Sequence, residues 1–405
     1  MRIVITSNYS IGNETGSSKV AELLSKYLSK RNKVLFICLG KRYTTYNLGL
    51  NLSVIEVPNM DLKTVQIPLI DPITSYKVFK LLDLFKPDII HAQNSMFVSK
   101  LAHIWARINN TPFIITFHHI PTEALYHLVP ELSKNILASL VQKIYKNTSL
   151  KNVLNNTDGV IAVNKISYDS ISSIDKNVRV KVINNGIEIE NLKKIKVRIP
   201  NVKNKNFVFL GSYNDRKNQL LLIKAFKYLP QSYQLNLYGN KNTGGEYLKQ
   251  MEEFVKIKKI TNVTIHDFSK SIDQVFDRND FLISASKKEA QSLVVIQAMA
   301  SGKPIIGVEN ETISELVDES NGLILKRKIS PKMFAKNIKI FVENCDYLKL
   351  SKKIRKDSRK FDIKIVILKI EKFYKSICNS YSKNSRGNIG NYYNKILEEI
   401  GIIKK

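Results

Sequence analysis

The sequence predicts an α/β protein built from two doubly wound domains, each with a parallel sheet. Three observations lead to this prediction. Short runs rich in β-branched residues alternate with stretches of helical period, as a buried parallel sheet requires. The alternation restarts at Phe207, after an irregular basic segment at 191–206. The chain also has 405 residues, more than the roughly 250–300 at which one hydrophobic core stops growing.

The predicted elements follow the two series in chain order. In the first half, Val20, Leu24 and Leu28 recur on one face, which predicts a helix at 18–31. The strands of this half are predicted at 3–6, 34–39, 88–92, 113–117, 159–163 and 180–183. The second half is predicted to have strands at 207–210, 235–238, 263–266, 281–284 and 304–308, with helices at 219–228, 246–259 and 293–300.

These elements set the expected domain bounds. The first domain is expected at 1–190 and the second at 207–362. Between them, 191–206 holds a proline, basic residues and no apolar periodicity, so we expect a linker there. A C-terminal segment at 363–405 follows.

Composition excludes several classes of protein and site. Cys38, Cys345 and Cys378 are far apart and form no CxxC pair, so neither a disulfide framework nor a zinc site is expected. The sequence contains no Asp-x-Asp motif, and we expect neither another metal nor a cofactor. The chain runs from Met1 directly into its first strand, and no apolar run approaches the roughly 18 residues that cross a bilayer. A cytoplasmic protein, soluble or peripheral to a membrane, is therefore expected.

The charge balance is strongly basic. There are 64 Lys and Arg residues against 35 Asp and Glu, a net charge of +29, and 189–206 and 346–405 contribute +5 and +10 of it. Such charge favours anionic surfaces, either phosphate backbones or acidic lipid headgroups. We expect no nucleic-acid ligand, because no RRM, KH or zinc-finger pattern is present and aromatic residues are not interleaved with the lysines. An anionic membrane surface is the expected partner.

Each half has a glycine-containing turn directly after its first strand, at 12–18 and 211–217. Ligands of open parallel sheets bind outside the carboxyl ends of the strands, where such turns lie. Neither turn has the GxGxxG spacing, so a dinucleotide fingerprint is not indicated.

The segment 284–306 carries the most informative motif. Its strand ends at Ser284, Ser292 is placed to cap a helix that begins at Leu293, and Gly302 ends that helix. The backbone N–H groups at such a helix start bind phosphate readily.

Two polar residues in this segment have a spacing that suits a nucleotide sugar. Glu289 lies just before the helix and Gln297 two turns along it. Eight residues at about 1.5 Å rise span roughly 12 Å, comparable to the distance from a hexose to a ribose across a diphosphate. One helix is therefore able to contact the sugar, the phosphates and the ribose.

This arrangement resembles the retaining glycosyltransferases of family 4, whose GT-B fold has two Rossmann-like domains facing each other across a cleft. The family signature is a Glu, seven residues and a second Glu, then Ala-Met and a Gly-x-Pro turn; Glu289, Gln297 and Gly302 stand at those places. Further matches follow in order over roughly 1–375: Thr15-Gly16, 115–118, 183–188, 209–211 with Lys217, 315–317 and 321–323.

The resemblance implies roles for individual residues. Glu289 and His118 are the implied catalytic residues, Glu289 orienting the donor sugar and His118 contacting it. Lys217 would neutralise the leaving diphosphate, with Arg216 standing in for the loop arginine that is Ser212 here. The other implied donor-binding residues are Gly16, Gly211, Ser292, Leu293 and Gln297. The resemblance also implies front-side displacement with retention, no metal, and a C-terminal helix that crosses back to the first domain.

Several of these residues also have a purely structural interpretation. Glu289 fits a solvated or capping acid, and Lys217 fits an ordinary surface lysine. His118 fits a core histidine, and its neighbour His119 is an alternative for the sugar contact. Gln297 lies on a largely apolar helix, so a structural role and a ribose contact stay equally open.

A segment at 131–156 is a candidate membrane-binding helix. Its apolar stripe lies beside lysines, which suits a helix lying in the interface of an anionic bilayer and equally a helix packed on a core. The stripe comprises Ile136, Leu137, Leu140, Val141 and Ile144, and the lysines are Lys134, Lys143 and Lys146. The family resemblance places the acceptor on the first domain and makes a lipid-linked acceptor the expected one.

The function expected from this resemblance is transfer of a hexose or N-acetylhexosamine. The donor would be a nucleotide sugar, with a UDP-sugar favoured, and the acceptor a lipid-linked glycan of surface polysaccharide biosynthesis. One alternative is a glycolipid synthase that uses diacylglycerol. Another is a non-catalytic partner of a second glycosyltransferase, suggested by Gln297 and Ser212. A sugar epimerase of the same fold fits the Glu289 segment less well.

Overall fold

The computed structural model describes residues 1–13, 15–62, 65–69, 71–95, 97–118 and 146–381. The chain divides into two compact units, the first made of Met1–Gly186 and Ile363–Lys405 and the second of Ile187–Asp362. Each unit holds a largely or wholly parallel sheet with hydrophobic cores on its two faces.

The first unit contains a nine-stranded sheet. Its strands are β1 (Arg2–Ser10), β2 (Lys33–Gly40), β3 (Thr44–Gly49), β4 (Leu52–Leu62), β5 (Val65–Pro68), β6 (Ile89–Ala92), β7 (Phe113–Phe117), β8 (Gly159–Ala162) and β9 (Val180–Val182). The order is β3-β4-β2-β1-β6-β7-β8-β9, with β5 paired to β4. All pairs are parallel except β3 with β4 and β4 with β5.

Helices cover both faces of this sheet. They are α1 (Gly16–Leu28), α2 (Pro72–Phe85), α3 (Phe97–Ile108), α4 (Lys151–Asn155) and α5 (Lys165–Ser172), with a π-helical turn at Lys146–Leu150. Consecutive residues of β1 alternate between the two cores: Ile3 and Ile5 pack on the side of α1, and Val4 on the side of α2 and α3. This is why the first strand is apolar on both faces.

The second unit contains a six-stranded, fully parallel sheet. Its strands are β10 (Lys205–Leu210), β11 (Tyr233–Tyr238), β12 (Val263–His266), β13 (Phe281–Ser284), β14 (Ile305–Val308) and β15 (Gly322–Leu325). Its helices are α6 (Glu190–Lys194), α7 (Gln219–Phe226), α8 (Gly245–Ile257), α9 (Ile272–Asp277), α10 (Leu293–Ala300), α11 (Glu311–Leu316), α12 (Pro331–Asn344) and α13 (Tyr347–Ser358), with 3-10 turns at Lys241–Thr243 and Arg359–Phe361.

The strand order of the second sheet is β12-β11-β10-β13-β14-β15. This is the doubly wound order, which reverses direction between its first and fourth strands, here β10 and β13. In the first unit the equivalent reversal lies between β1 and β6. Ligands of this fold bind in the crevice outside the carboxyl ends of the strands at such a reversal.

A last helix, α14 (Ile363–Ser380), completes the first unit rather than the second. Seven of its residues are buried against α1 and the sheet, namely Ile363, Val366, Ile367, Ile370, Phe373, Tyr374 and Ile377. The absence of a Cβ at Gly159 on β8 makes room for Phe373 and Ile377.

The structure shows the predicted fold class, and most predicted elements lie within a few residues of their expected bounds. The strands β3, β4 and β5 were not predicted. The segment 191–206, expected as a linker, lies inside the second unit, where Leu192 and Ile195 are buried. Most of the candidate membrane helix, residues 131–145, lies outside the described residues, and His119 does as well. Within the described part of the chain, no helix is both long enough and apolar enough to span a membrane.

The packing of α14 yields a stability prediction. A Cβ at Gly159 would lie 2.8 Å from Ile377 Cδ1 and 2.9 Å from Phe373 Cζ. Gly159→Val is therefore expected to cost about 1–3 kcal/mol by overpacking, although valine favours strands. Thermal unfolding followed by circular dichroism measures the effect.

Gly49→Val is the matched control for this substitution. Gly49 is a strand glycine of the same unit, and a Cβ there meets nothing within 4 Å. We expect a change within about 0.5 kcal/mol. If both variants melt like the wild type, α14 is not packed closely on β8.

Candidate functional site

The loops after β10 and β13 leave the second sheet at its reversal point and run side by side. The Lys287 N–H donates to the Arg216 carbonyl (2.8 Å), and Arg216 Nη1 donates to the Lys288 carbonyl (2.9 Å). At the outer edge, Lys287 Nζ lies 2.6 Å from Asp215 Oδ2. The two loops, at 211–218 and 285–292, therefore form one surface.

The first of these loops begins with a glycine that its geometry requires. Gly211 has φ +155°, and its N–H donates to the Tyr238 carbonyl at 2.9 Å. A Cβ on the neighbouring Gly239 would lie 2.4 Å from the Gly211 carbonyl oxygen. The backbone at Gly239 therefore lies close against the backbone at Gly211, at the point where the chain turns out of β10.

Glu289 lies where the two loops meet and is paired with two cations. Lys217 Nζ donates to Glu289 Oε1, and Arg216 Nη1 lies 3.2 Å from the same oxygen. The Glu289 and Lys217 side chains are only 13% and 14% exposed, whereas Arg216 is 41% exposed. Burial raises the pKa of Glu289, but Lys217, Arg216 and hydrogen bonds from Lys217 and Ser286 outweigh it, so the net pKa is lowered. Glu289 is therefore an anion at neutral pH.

The backbone of this glutamate is held by the first turn of α11, the helix that follows β14. The Glu289 N–H donates to Glu311 Oε2 (3.0 Å), and its carbonyl accepts from the N–H and hydroxyl of Thr312 (3.1 and 3.0 Å). Thr312 Oγ1 also accepts from the Ser292 N–H (3.0 Å), and Asn310 Nδ2 donates to the Ser286 carbonyl (2.8 Å). We did not predict these three supporting residues. The sequence feature that could have identified them is a cluster of residues typical of helix N-termini, directly beyond the carboxyl end of a predicted strand.

The helix that follows has the predicted bounds and a mixed environment. Ser292 is its N-cap, although its side chain makes no capping hydrogen bond. Leu293 and Gln297 are half-buried on the same face, while Val295, Ile296 and Ala298 to Ala300 face the core. The first turn of any α-helix has N–H groups without intrahelical acceptors, so the amides of 293–295 are available to an anion.

In the first unit, the predicted residues Gly16 and His118 also follow strands near the reversal point. Gly16 is the first residue of α1, capped by Thr15, and Glu22 Oε1 accepts from the N–H of Gly12 (3.0 Å). His118 follows β7, and Gln93 directly follows β6. His118 Nε2 lies 2.9 Å from Gln93 Oε1. Gln93 was not predicted.

His118 lines a small cavity of the first unit. Its lining also includes Val20 and Leu24 of α1, His91, Asn184 and Asn185. Burial lowers the pKa of His118 to about 4, and a weaker interaction with the Asn185 side chain raises it. The imidazole is therefore neutral at physiological pH, and its Nδ1 has no partner of hydrogen-bonding geometry among the residues described.

The structure thus brings Arg216, Lys217 and Glu289 into direct contact, with Gly211 and Ser292 on the same two loops. Gly16 and His118 belong to the first unit, and their place in a site shared with the second unit stays a prediction. Among the described residues, no three His, Cys, Asp or Glu side chains converge as a metal site would need.

Two family models match the chain. The sequence model described as Glycosyltransferase Family 4 matches residues 15–191, and that described as Glycosyl transferases group 1 matches residues 191–361. Together they span most of both units.

Individual relatives are more distant. The alpha-monoglucosyldiacylglycerol synthase of Streptococcus pneumoniae is 24% identical over 343 residues, which are 79% of this chain and 74% of that protein. HepE of Anabaena, solved in complex with UDP and glucose, superposes with a TM-score of 0.69 at 18% identity, over 93% of this chain and 100% of that one. Sucrose-phosphate synthase of Thermosynechococcus elongatus gives a TM-score of 0.73 at 17% identity, over 93% and 99%. The structural likenesses show the shared GT-B fold.

The ion pair leads to a prediction about the ionisation of Glu289. In Lys217→Met the carboxyl stays buried but loses its nearest cation, so its pKa is expected to rise. Glu289 then contributes less stability at neutral pH, because a carboxyl with a lowered folded pKa stabilises above its unfolded pKa and loses that contribution as pH falls through the folded value. A carboxyl-carbon NMR titration, assigned with Glu289→Gln, measures the shift.

Lys287→Met is the control for this titration. It removes a neighbouring lysine whose partner, Asp215, is 78% exposed, so the pKa of Glu289 should change little. An equal shift in both variants would contradict a specific pairing with Lys217.

Proposed function

The chain belongs to the family 4, group 1 glycosyltransferases of the GT-B fold, and from this premise we propose that it transfers a sugar from a nucleotide donor. The sugar is a hexose or N-acetylhexosamine, and the anomeric configuration is retained. The acceptor is a lipid-linked glycan at a membrane, in surface polysaccharide biosynthesis.

The observation that carries this proposal is the pair of cations beside Glu289. Lys217 and Arg216 converge on one carboxylate oxygen of Glu289, which lies four residues before Leu293, the first residue of α10. A diphosphate that reaches this point meets two positive charges and a helix N-terminus. Such groups stabilise the charge that develops on the leaving diphosphate as the glycosidic bond breaks.

Glu289 has a second role in this proposal. Because it is ionised, it accepts hydrogen bonds only, and the hydroxyls of the donor sugar supply them. His118 contacts the same sugar from the first unit. Gly16, Gly211, Ser292, Leu293 and Gln297 complete donor binding, with Gln297 on the ribose.

A UDP-sugar is the favoured donor. The solved HepE structure contains UDP and glucose, and its fold matches this chain over nearly its whole length. Because the two cations and the helix amides already supply positive charge, we propose that neither a metal nor another cofactor takes part.

We propose that the enzyme is cytoplasmic and works at the inner membrane surface. The net charge of +29 favours anionic lipid headgroups. A second candidate acceptor is diacylglycerol, and the matched alpha-monoglucosyldiacylglycerol synthase favours it. Transfer to diacylglycerol in anionic vesicles, compared with transfer to a lipid-linked glycan in the same vesicles, separates the two.

The donor proposal is tested by thermal shift with UDP-glucose, UDP-galactose, UDP-N-acetylglucosamine and GDP-mannose. One of them is expected to stabilise the protein, by about 2.7 kcal/mol at a hundredfold excess over Kd. The shift should disappear in Lys217→Ala, because the diphosphate loses its main cation. Lys287→Ala removes the same charge from the adjacent exposed pair and should keep the shift.

Turnover tests the role of Glu289. With the donor found in that panel, Glu289→Gln is expected to reduce donor hydrolysis or transfer by about 10²- to 10³-fold, with the protein still folded. If no donor stabilises the protein and neither the wild type nor Glu289→Ala turns one over, the chain is a non-catalytic partner of another glycosyltransferase.

A chelator tests the proposed independence from metals. Because Lys217, Arg216 and α10 neutralise the diphosphate, EDTA followed by gel filtration should leave kcat and KM unchanged. Loss of activity that Mg²⁺ or Mn²⁺ restores would contradict this part of the proposal.

A further inference from the structure

A chain of buried polar side chains connects the C-terminal helix α14 to His118. Its members, Tyr374, His91, Gln93 and Thr116, are each at most 4% exposed. They come from α14, from β6 and the residue just after it, and from β7, so distant parts of the sequence meet at one place. All of them belong to the first unit.

The contacts run in sequence from the helix to the site. Tyr374 Oη lies 2.6 Å from His91 Nδ1, and Thr116 Oγ1 lies 2.6 Å from His91 Nε2. The Gln93 amide nitrogen lies 3.1 and 3.4 Å from the two ring nitrogens of His91. Gln93 Oε1 then lies 2.9 Å from His118 Nε2.

The chemistry of these groups sets the direction of the last bond. Gln93 Oε1 only accepts hydrogen bonds, so His118 Nε2 must carry its proton. A neutral imidazole has one proton, which leaves a lone pair on Nδ1. Burial lowers the pKa of both His91 and His118, to about 3 and 4, so both rings stay neutral at physiological pH.

The orientation of Gln93 depends in turn on His91. Both ring nitrogens of His91 have hydroxyl partners, so the Gln93 NH₂ group, at similar distances from both, lies over the ring instead of at one lone pair. An NH₂ group is attracted by the electron-rich face of a ring, whereas an amide oxygen would be repelled. His91 therefore keeps the amide oxygen of Gln93 turned towards His118.

Tyr374 puts a hydroxyl on the otherwise apolar buried face of α14, and that hydroxyl needs a hydrogen-bond partner. The other buried residues of this helix are isoleucines, a valine and a phenylalanine. A buried hydroxyl is costly unless it is hydrogen-bonded, and phenylalanine would fill the same space. Here the hydroxyl is fully buried and bonded to a histidine of the sheet.

We propose that Tyr374, His91 and Gln93 are positioning residues, which hold His118 as the Nε2-protonated tautomer so that Nδ1 accepts a hydrogen bond from a hydroxyl of the donor sugar. The sugar contact rests on the proposed function, but the fixed tautomer does not. Among the described residues Nδ1 of His118 makes no hydrogen bond of acceptable geometry, and because buried polar atoms are rarely left so, this is the atom that we assign to a ligand.

Imidazole nitrogen NMR tests the fixed tautomer without any substrate. With ¹⁵N-histidine labelling and assignment by His118→Asn, the wild type should show His118 protonated at Nε2 only. Tyr374→Phe and Gln93→Met should both give mixed tautomers of His118, because each removes a different hydrogen bond from the series that runs from Tyr374 to His118. The proposal is overturned if His118 keeps one tautomer in both variants, or if the wild type is protonated at Nδ1.

Tyr347→Phe is the matched control. The Tyr347 hydroxyl is also buried and donates to a carbonyl, that of Asp280 (2.8 Å), but it lies in the second unit. Removing it should leave the His118 spectrum unchanged. Near-ultraviolet circular dichroism checks that each variant is folded, and Gln93→Met provides the test if Tyr374→Phe is not.

A binding comparison tests the sugar contact separately. For the donor found in the thermal-shift panel, Tyr374→Phe should weaken binding of the nucleotide sugar by about 2- to 10-fold, the net worth of one hydrogen bond. Binding of the free nucleoside diphosphate should not change. Suppose that the single tautomer is lost in Tyr374→Phe but both ligands bind as they do to the wild type. The hydrogen-bonded side chains then orient His118, and the sugar contact is refuted.

Discussion

The Glu289 carboxylate is nearly buried, and burial alone would favour its neutral form. Lys217 and Arg216 reverse this balance, because opposite charges at short range outweigh the desolvation of the anion. The same contacts join the loop after β10 to the loop after β13. The ion pair therefore fixes both the charge of the site and its shape, and the proposed donor chemistry depends on this balance.

Both units have polar side chains after the carboxyl ends of their strands, but these side chains differ in charge. In each, polar side chains follow strands at or next to the sheet reversal, where ligands of this fold bind. The second unit places cations and a helix N-terminus there, which suits a diphosphate. The first unit places neutral groups there, Gln93 and His118, which suit sugar hydroxyls.

Helix α14 has more than a packing role in the first unit. Its apolar face extends one core, and Gly159 admits its side chains. Its one buried hydroxyl reaches His91 and, through Gln93, the histidine proposed to contact the sugar. Helix α14 is thus both a structural part of this unit and, by our proposal, a support for its site.

The sequence alone determined the elements whose signals are local. The bounds of β7, β12, β13 and α10 were predicted to the residue, because apolar runs, capping residues and Gly302 mark them. The polar hairpin strand β3, which lacks an apolar pattern, was not found. Only the tertiary structure decided which side chains support Glu289 and His118. Thr312 and Tyr374 lie 23 and 283 residues from their partners, and contacts over such separations depend on strand order, which no local pattern encodes.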